Sequence, residues 1–281
     1  MTVVVDIGNA RIKWARVRHG ALSEFGEALH VDDVEQALKL FSANVTTEVN
    51  RIVGTNVAGG NIAARLNKLA DECWGVSPEW INTSSEQLGV TCGYAEPCRL
   101  GVDRWVAVLA AYERASGAVC VIDAGTAVTF DAVDAEGKHL GGLIMAGPRL
   151  VTATLRSETS DIGNTTMSEK IPRGLQLMGR STNEAVVHGA MLGVAAAVDR
   201  ALKVVTDALR TEPLIFLTGG HANALSPWLE STVQYRVHLV LEGLTLIAKK
   251  SSINPPSLLS LIHISEPTRR TPISYAVFCL K

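Results

Sequence analysis

The sequence predicts an α/β protein made of two duplicated domains with a cleft between the copies. Three observations carry that expectation. The chain opens on Val3-Val4-Val5-Asp6-Ile7-Gly8-Asn9, an apolar run that ends in an acid and a glycine turn. The same order of apolar strand, Asp, one residue, Gly, small polar residue and returning strand recurs from Val119 to Asp131, with Asp123 in the place of Asp6. Strands and amphipathic helices then alternate in matching places in both halves. The expected division is 1–115 and 116–250, followed by a tail at 251–281.

Bulk composition narrows the class. At 281 residues the chain is long enough for two ordinary domains. Apolar residues at 47% and charged residues at 19% suit a globular protein. A net charge of −2 offers no basic surface to a nucleic acid. Cys73, Cys92, Cys98, Cys120 and Cys279 are an odd set, and the chain enters a strand without a leader-like segment, so reduced thiols in a cytoplasm are expected. Cys92 and Cys98 lack a matching His or Cys pair, so zinc is not expected. Nor is a membrane span expected from the apolar runs.

Taken in order, residues 2–6, 11–18 and 21–29 form a β-meander. Val34, Ala37, Leu38 and Phe41 share a helix face, with Asp32 or Asp33 as the cap. A strand at 51–56 is followed by Gly59-Gly60 and an amphipathic helix over 61–74. A short strand at 79–82 leads into a loop over 83–97. The next helix opens at Leu100-Gly101-Val102-Asp103-Arg104-Trp105, buries Trp105, Val108, Leu109 and Tyr112, and stops at Gly117. Strands at 118–122, 127–133 and 139–145 repeat the opening meander, and Gly141-Gly142 marks a close backbone approach.

A helix from Pro148 to Arg156 precedes a polar stretch, 157–180, expected as a mobile loop. The long helix Thr182 to Leu209 carries Gly189 and Gly193 one turn apart, which predicts tight helix packing there. A strand at 214–217, Thr218-Gly219-Gly220, a helix over 222–229, a strand at 237–240 and a helix over 242–249 complete the pattern. Ser260 to Lys281 resembles translated sequencing-library adapter, so the tail is set aside.

The residues suggest phosphate chemistry. Gly8 has no side chain to keep a phosphate from the backbone amides of its turn, and Asp6 can hold a cation between protein and phosphate. A hairpin with an incidental Asp would show the same spacing. Two such turns facing one another could hold the ends of a triphosphate. Leu217-Thr218-Gly219-Gly220 sits between a strand and a helix, a place that suits a phosphate or a ribose edge. No G-x-x-x-x-G-K-[ST] loop and no protein-kinase signature set is present.

Five motifs then occur in one order: Asp6-x-Gly8-Asn9-x-x-x-Lys13-Trp14, Gly101-x-Asp103-Arg104-Trp105, Asp123-x-Gly125-Thr126-Ala127-x-Thr129-x-Asp131, Gly141-Gly142-x-Ile144 and Leu217-Thr218-Gly219-Gly220. Over residues 1–249 the chain resembles the type III pantothenate kinases, members of the acetate and sugar kinase, Hsp70 and actin superfamily. The resemblance implies two ribonuclease-H-like (actin-like ATPase) domains with a nucleotide cleft between them. It also implies ATP-dependent phosphorylation of pantothenate on its primary hydroxyl, the first step towards coenzyme A.

Further implications follow residue by residue. Asp6, Ile7, Gly8, Asn9, Ala10, Arg11, Ile12 and Lys13 would bind ATP phosphates, with Thr126 a further ATP contact. Asp103 would accept the proton. Tyr94, Gly101, Val102, Asp103, Arg104 and Thr182 would contact pantothenate. Asp123 would hold a monovalent cation, K⁺ or NH₄⁺, beside the Mg²⁺ of the nucleotide. The family is cytoplasmic and homodimeric, with the pantothenate site completed at the subunit interface and no nucleic-acid or membrane partner.

Elementary chemistry runs alongside. Asp103 at a helix N-terminus is expected to stay ionised, whether as base or as plain cap. Arg104 offers a fork to a carboxylate, which pantothenate carries, or to a surface ion pair. Lys13 reaches a phosphate or solvent, Tyr94 packs on substrate or lines a loop, and Thr182 serves substrate or caps its helix. Two departures from the family stand out. Ala10 replaces a Ser or Thr, and the proline after Gly141-Gly142 is displaced to Pro148. Two rival functions share the fold: a kinase for another small hydroxylated substrate, and a non-catalytic ATP-binding accessory or regulatory protein.

Overall fold

A computed structural model describes residues 1–46, 48–159, 172 and 174–253. The first half runs β1 (Thr2–Ile7), β2 (Arg11–Arg18), β3 (Ala21–Leu29), α1 (Val34–Asn44), β4 (Arg51–Asn56), α2 (Gly60–Trp74), β5 (Glu79–Trp80), β6 (Glu86–Gln87), β7 (Val90–Thr91) and α3 (Val102–Arg114). The second runs β8 (Val119–Ala124), β9 (Ala127–Val133), β10 (His139–Ala146), α4 (Pro148–Glu158), α5 (Thr182–Leu209), β11 (Leu214–Thr218), α6 (Ala222–Leu225), β12 (Gln234–Tyr235) and α7 (Leu239–Ile253).

The duplication is visible in the strand orders, β3-β2-β1-β4-β5 and β10-β9-β8-β11-β12. In each sheet the first three strands form an antiparallel meander and the last two run parallel to the central strand. Central strands are buried on both faces, which explains their unbroken apolar runs. Val3, Val5 and Ile7 face a core shared with α1 and α2, whereas Val4 faces the opposite way. Likewise Cys120, Ile122 and Ala124 face α5, while Val119 and Val121 join Val4 in the middle.

That middle core is made by α3 and α7. It takes Val4, Ala15 and Val53 from the first sheet and Val119, Val121, Val133 and Phe216 from the second. Eight consecutive residues of α3, Arg104 to Ala111, are buried. The expected one-sided face of α3 is therefore incomplete, because a helix between two sheets has no solvent side. Helix α7 packs beneath the first sheet although it comes from the second half. Arg51 also donates to the Ala248 carbonyl at 2.8 Å.

Several local expectations need correction. Residues 83–97 contain the β6–β7 hairpin, and Trp105 Nε1 donates to Gln87 Oε1 there at 3.0 Å. The last short strand lies at Gln234–Tyr235, and 237–240 instead turns into α7, which starts at Leu239. Pro227 ends the α6 geometry early and leaves a 3₁₀ turn over Ser226–Trp228. A Cβ on Gly189 or Gly193 would meet nothing within 4 Å, so among the described residues no element packs closely on them. Helix α5 is long and apolar enough to cross a membrane, contrary to expectation. Met191, Val194, Ala195 and Val198 nonetheless pack on the second sheet. The stretch 157–180 lies largely outside the described residues, as does the tail after Ile253.

Close approach of α3 and α7 generates a stability prediction. A Cβ on Gly243 would sit 2.3 Å from the Val106 carbonyl oxygen, a backbone atom with no rotamer to move. Gly243→Ala gains about 1 kcal/mol of helix propensity, but overpacking costs ~1–3 kcal/mol. We expect thermal unfolding to show a net loss of up to ~2 kcal/mol. A raised melting temperature would mean that the two helices separate freely.

Candidate active site

Both acid–glycine turns emerge from the carboxyl ends of central strands. Asp6 lies on β1 opposite Lys13 of β2, and the Gly8 amide closes the turn on the Arg11 carbonyl at 3.0 Å. Asp123 lies on β8 opposite Thr129, and the Gly125 amide closes on the Ala127 carbonyl at 3.0 Å. In each sheet the next parallel strand places a threonine beside the acid, Thr55 by Asp6 and Thr218 by Asp123. The Thr55 hydroxyl donates to Asp6 Oδ1 at 2.9 Å.

Between these turns lies the N-terminus of α3. Gly101 is its cap, Val102 its first residue and Asp103 its second, so Asp103 is not the cap. Asp103 Oδ1 folds back to accept from the Arg104 amide at 2.8 Å. A Cβ on Gly101 would stand 2.8 Å from that same oxygen, so glycine leaves it room.

The three acids feel one another. Burial raises the Asp6 carboxyl to about 7, and the Asp103 and Asp123 charges add to the rise, while Thr55 and Lys13 oppose it. Burial raises Asp123 to about 6; Lys13 opposes this, and Asp103 and Asp131 add to it. Asp103 is raised as well, chiefly by burial. The ease of ionisation expected of it is thereby reduced, because desolvation outweighs the Arg104 amide and guanidinium.

Arg104 also departs from expectation. It is buried, and its fork is filled from within the chain: Nε donates to Asp131 Oδ2 at 2.8 Å and an η-nitrogen to Asp131 Oδ1 at 2.7 Å. The other η-nitrogen donates to the Tyr94 hydroxyl at 3.1 Å. His139 Nε2 lies 2.9 Å from Asp131 Oδ1, and the His139 and Tyr94 rings stack at 6.0 Å. A Cβ on Gly142 would fall 2.4 Å from Asp131 and 2.5 Å from Arg104, so the expected close approach is confirmed there.

The other predicted residues divide. Gly8, Asn9, Ala10, Gly125 and Thr126 form the turns. Ile7 and Ile12 point into the core, which leaves only their backbone for a ligand. Arg11 pairs with Glu27 at the surface. Pro148 is the first residue of α4 and Gly147 its cap, a favourable place for proline. The Gly147 amide donates to the Thr126 carbonyl at 3.1 Å, which ties α4 to the second turn. Gly219, at φ +95, brings backbone where a Cβ would be 2.3 Å from Asp123 Oδ1.

Thr182 is not joined to this group by any hydrogen bond. It is the exposed first residue of α5, and Ser181 rather than Thr182 is the cap, accepting from the Glu184 amide at 3.2 Å. Sequence reasoning missed the roles of Thr55, Asp131 and His139. Only the position of a threonine at the end of both parallel strands hinted at the first.

Beside the start of α3 a cavity of about 380 Å³ is lined by Asn56, Thr83, Cys98, Gly101 and Val102. A larger one, about 700 Å³, is lined by Phe25, Arg236, His238 and Lys249 and contains none of the three acids. Among the described residues no group of three His, Cys, Asp or Glu side chains is close enough to share one metal ion. The carboxylate oxygens of Asp6 and Asp123 are nonetheless the hard donors that Mg²⁺ and K⁺ take.

Comparison with known proteins places this arrangement. Residues 2–204 match the family described as type III pantothenate kinase. The type III pantothenate kinase of Nitrosococcus oceani is 34% identical over 262 residues, covering 90% of this chain and 95% of the relative. A solved Campylobacter jejuni protein, described as a conserved putative Baf family transcriptional activator, superposes with a TM-score of 0.55 at 21% identity, covering 89% and 99% of the two chains. A putative 2-dehydro-3-deoxygalactonokinase from Sinorhizobium meliloti superposes with a TM-score of 0.52 at 12% identity, covering 91% and 100%. The two superpositions speak for the fold alone.

The raised acids predict a pH dependence of stability. In the unfolded chain an aspartate titrates near ~4, whereas in the fold Asp6 titrates at about 7 and Asp123 at about 6. The folded state therefore keeps protons that the unfolded state has lost. The contribution to stability is full below the unfolded value and is lost as pH rises through the folded ones. Asp6→Asn should stabilise the ligand-free protein at pH ~8 by roughly 2–4 kcal/mol and have little effect near pH ~4. Melting temperatures across that range check it, and equal gains at both ends would refute it.

Proposed function

The chain belongs to the type III pantothenate kinase family, and from that premise we infer that it transfers the γ-phosphoryl group of ATP to the primary hydroxyl of pantothenate, the entry step to coenzyme A. The observation that carries the residue assignment is the meeting of both acid–glycine turns at Asp103, whose charge is felt by Asp6 and by Asp123. The cleft would lie between the halves 1–115 and 116–250.

In this reading the first turn, from Gly8 to Lys13, holds the phosphates through the amides that its own hydrogen bonds leave open, with Thr126 in the second turn, and the Lys13 ammonium neutralises part of their charge. Asp6 and Asp123 would hold Mg²⁺ and the monovalent cation, which when bound offset charge on the transferring phosphoryl group. Asp103 takes the proton of the pantothenate hydroxyl as its oxygen bonds to the γ-phosphorus and the bond to the bridging oxygen breaks. A raised pKa makes Asp103 a better proton acceptor than an ordinary surface aspartate.

Gly101, Val102 and Tyr94 border the pantothenate chain. Arg104 contributes from a fixed pose, since Asp131 occupies its fork. It does not clasp the substrate carboxylate with both arms. Ala10 removes one hydroxyl from the first turn, and the backbone of that turn carries the contact.

A homodimer in the cytoplasm completes the proposal. Ala185, Gly189, Leu192, Gly193 and Ala196 lie exposed along one side of α5, and Leu143 and Ile144 lie exposed on the edge strand β10. A second copy docked there would cover this surface. Thr182, exposed at the start of α5, would then be free to reach the partner's cleft.

Two outcomes test the reading. ADP release with ATP, Mg²⁺ and K⁺ or NH₄⁺ should require pantothenate. Asp103→Asn should lower turnover by about 10²–10⁴-fold with nucleotide binding retained. Nucleotide binding without pantothenate-dependent turnover in the unaltered chain would favour an accessory protein instead. For the interface, Gly193→Arg should shift the protein to monomer in light scattering and abolish pantothenate turnover. A dimer that persists would place the interface elsewhere.

A further inference from the structure

Each acid–glycine turn is gripped by one histidine, and the two grips match. His30, directly after β3, donates its backbone amide to the Ala10 carbonyl at 3.1 Å, and its Nε2 lies 2.7 Å from the Gly8 carbonyl oxygen. His221, directly after Thr218-Gly219-Gly220, donates its backbone amide to the Ala124 carbonyl at 2.8 Å, and its Nδ1 lies 3.1 Å from the Gly125 carbonyl oxygen. A carbonyl only accepts, so the contacting nitrogen carries hydrogen in both rings. This requires the Nε2–H form of His30 and the Nδ1–H form of His221 if the rings are neutral, and a protonated ring would donate equally.

The consequence follows from the planar trans peptide. The carbonyl of one residue and the amide of the next lie in that plane and point in opposite directions. Holding the Gly8 carbonyl towards His30 therefore turns the Asn9 N–H away from it. Holding the Gly125 carbonyl towards His221 does the same for the Thr126 N–H. Among the described residues neither amide donates to a protein acceptor. Glycine at both positions offers little resistance to peptide rotation, so a rigid external grip has something to prevent.

We propose that His30 and His221 are matched positioning residues, each holding the glycine carbonyl of one turn so that the following amide, Asn9 N–H or Thr126 N–H, faces a phosphate of ATP. The proposal rests on the reading that these turns hold the triphosphate. It also explains how the first turn works with Ala10: the amide of Asn9 is aimed by His30, without help from a hydroxyl at position 10.

The test exploits isosteric amides. Gln places Nε2 where His30 has it, and Asn places Nδ2 where His221 has its Nδ1. Affinities of the full-length protein for a non-hydrolysable ATP analogue and for adenosine are measured for the unaltered chain, His30→Leu, His30→Gln, His221→Leu and His221→Asn. Each leucine variant should weaken the analogue about tenfold, the loss of one hydrogen bond to a charged acceptor, and leave adenosine unchanged. The double leucine variant should lose about a hundredfold, since the turns are separate.

The amide variants should bind the analogue within about threefold of the unaltered chain. A merely structural histidine would move adenosine and the analogue together, and that result overturns the proposal. So do folded leucine variants that bind the analogue normally, or amide variants as weak as leucine. Should His30→Leu not fold, His30→Asn takes its place, because its amide is too short to reach Gly8. Failure of the unaltered chain to prefer the analogue over adenosine would instead refute the phosphate role of the turns.

Discussion

Between Arg104 and Ala111, helix α3 buries every side chain, and it can do so only because two sheets close on it from opposite sides with α7 alongside. The rest of the molecule depends on that packing. Trp105, Val108 and Leu109 bring apolar surface that neither sheet could cover alone. The helix axis is thereby fixed relative to both central strands. Its first turn has to end where β1 and β8 end, so Asp103 stands between two acids that are far apart in the chain. The position of Asp103, the proposed proton acceptor, is therefore a packing result, enforced by the apolar core that begins in the same turn of the helix.

The two halves share a strand order but not a charge. Lys13 faces Asp6 across the first hairpin, while Thr129 faces Asp123 across the second. One lysine thus serves both acids, as its opposition to the rise of each shows. Thr55 donates to the first acid, whereas the second is crowded by the bare backbone of Gly219. Such asymmetry suits a ligand whose two ends differ, with one jaw more cationic than the other.

Much of the fold was legible in the chain. The valine runs before Asp6 and Asp123 could only be buried strands, and the glycines after the acids could only be turns. The α2 pattern ended at Trp74, where the helix ends, and Gly75 after it takes a left-handed φ of 64. Misses occurred where local signal is weakest. Strands of two residues, such as β6 and β7, have no periodicity to detect. The 237–240 run is apolar enough for a strand, and only its place in the α3–α7 core makes it a helix start. Within the site, residue types were legible but partners were not. Nothing near Arg104 announces that Asp131 fills its fork, His30 sits beyond a strand end with no motif around it, and His221 follows Thr218-Gly219-Gly220 without belonging to it. Those contacts join distant segments, so they exist only after the sheets have formed.

The unusual proton affinity of the strand-end acids has a calorimetric side. Asp6 and Asp123, raised to about 7 and about 6, would release protons to the buffer when the cations proposed to accompany the nucleotide bind against them. Heat measured on nucleotide loading then includes the ionisation enthalpy of whatever base receives those protons. The same loading will register differently in Tris and in phosphate, and the difference between the two counts the protons released.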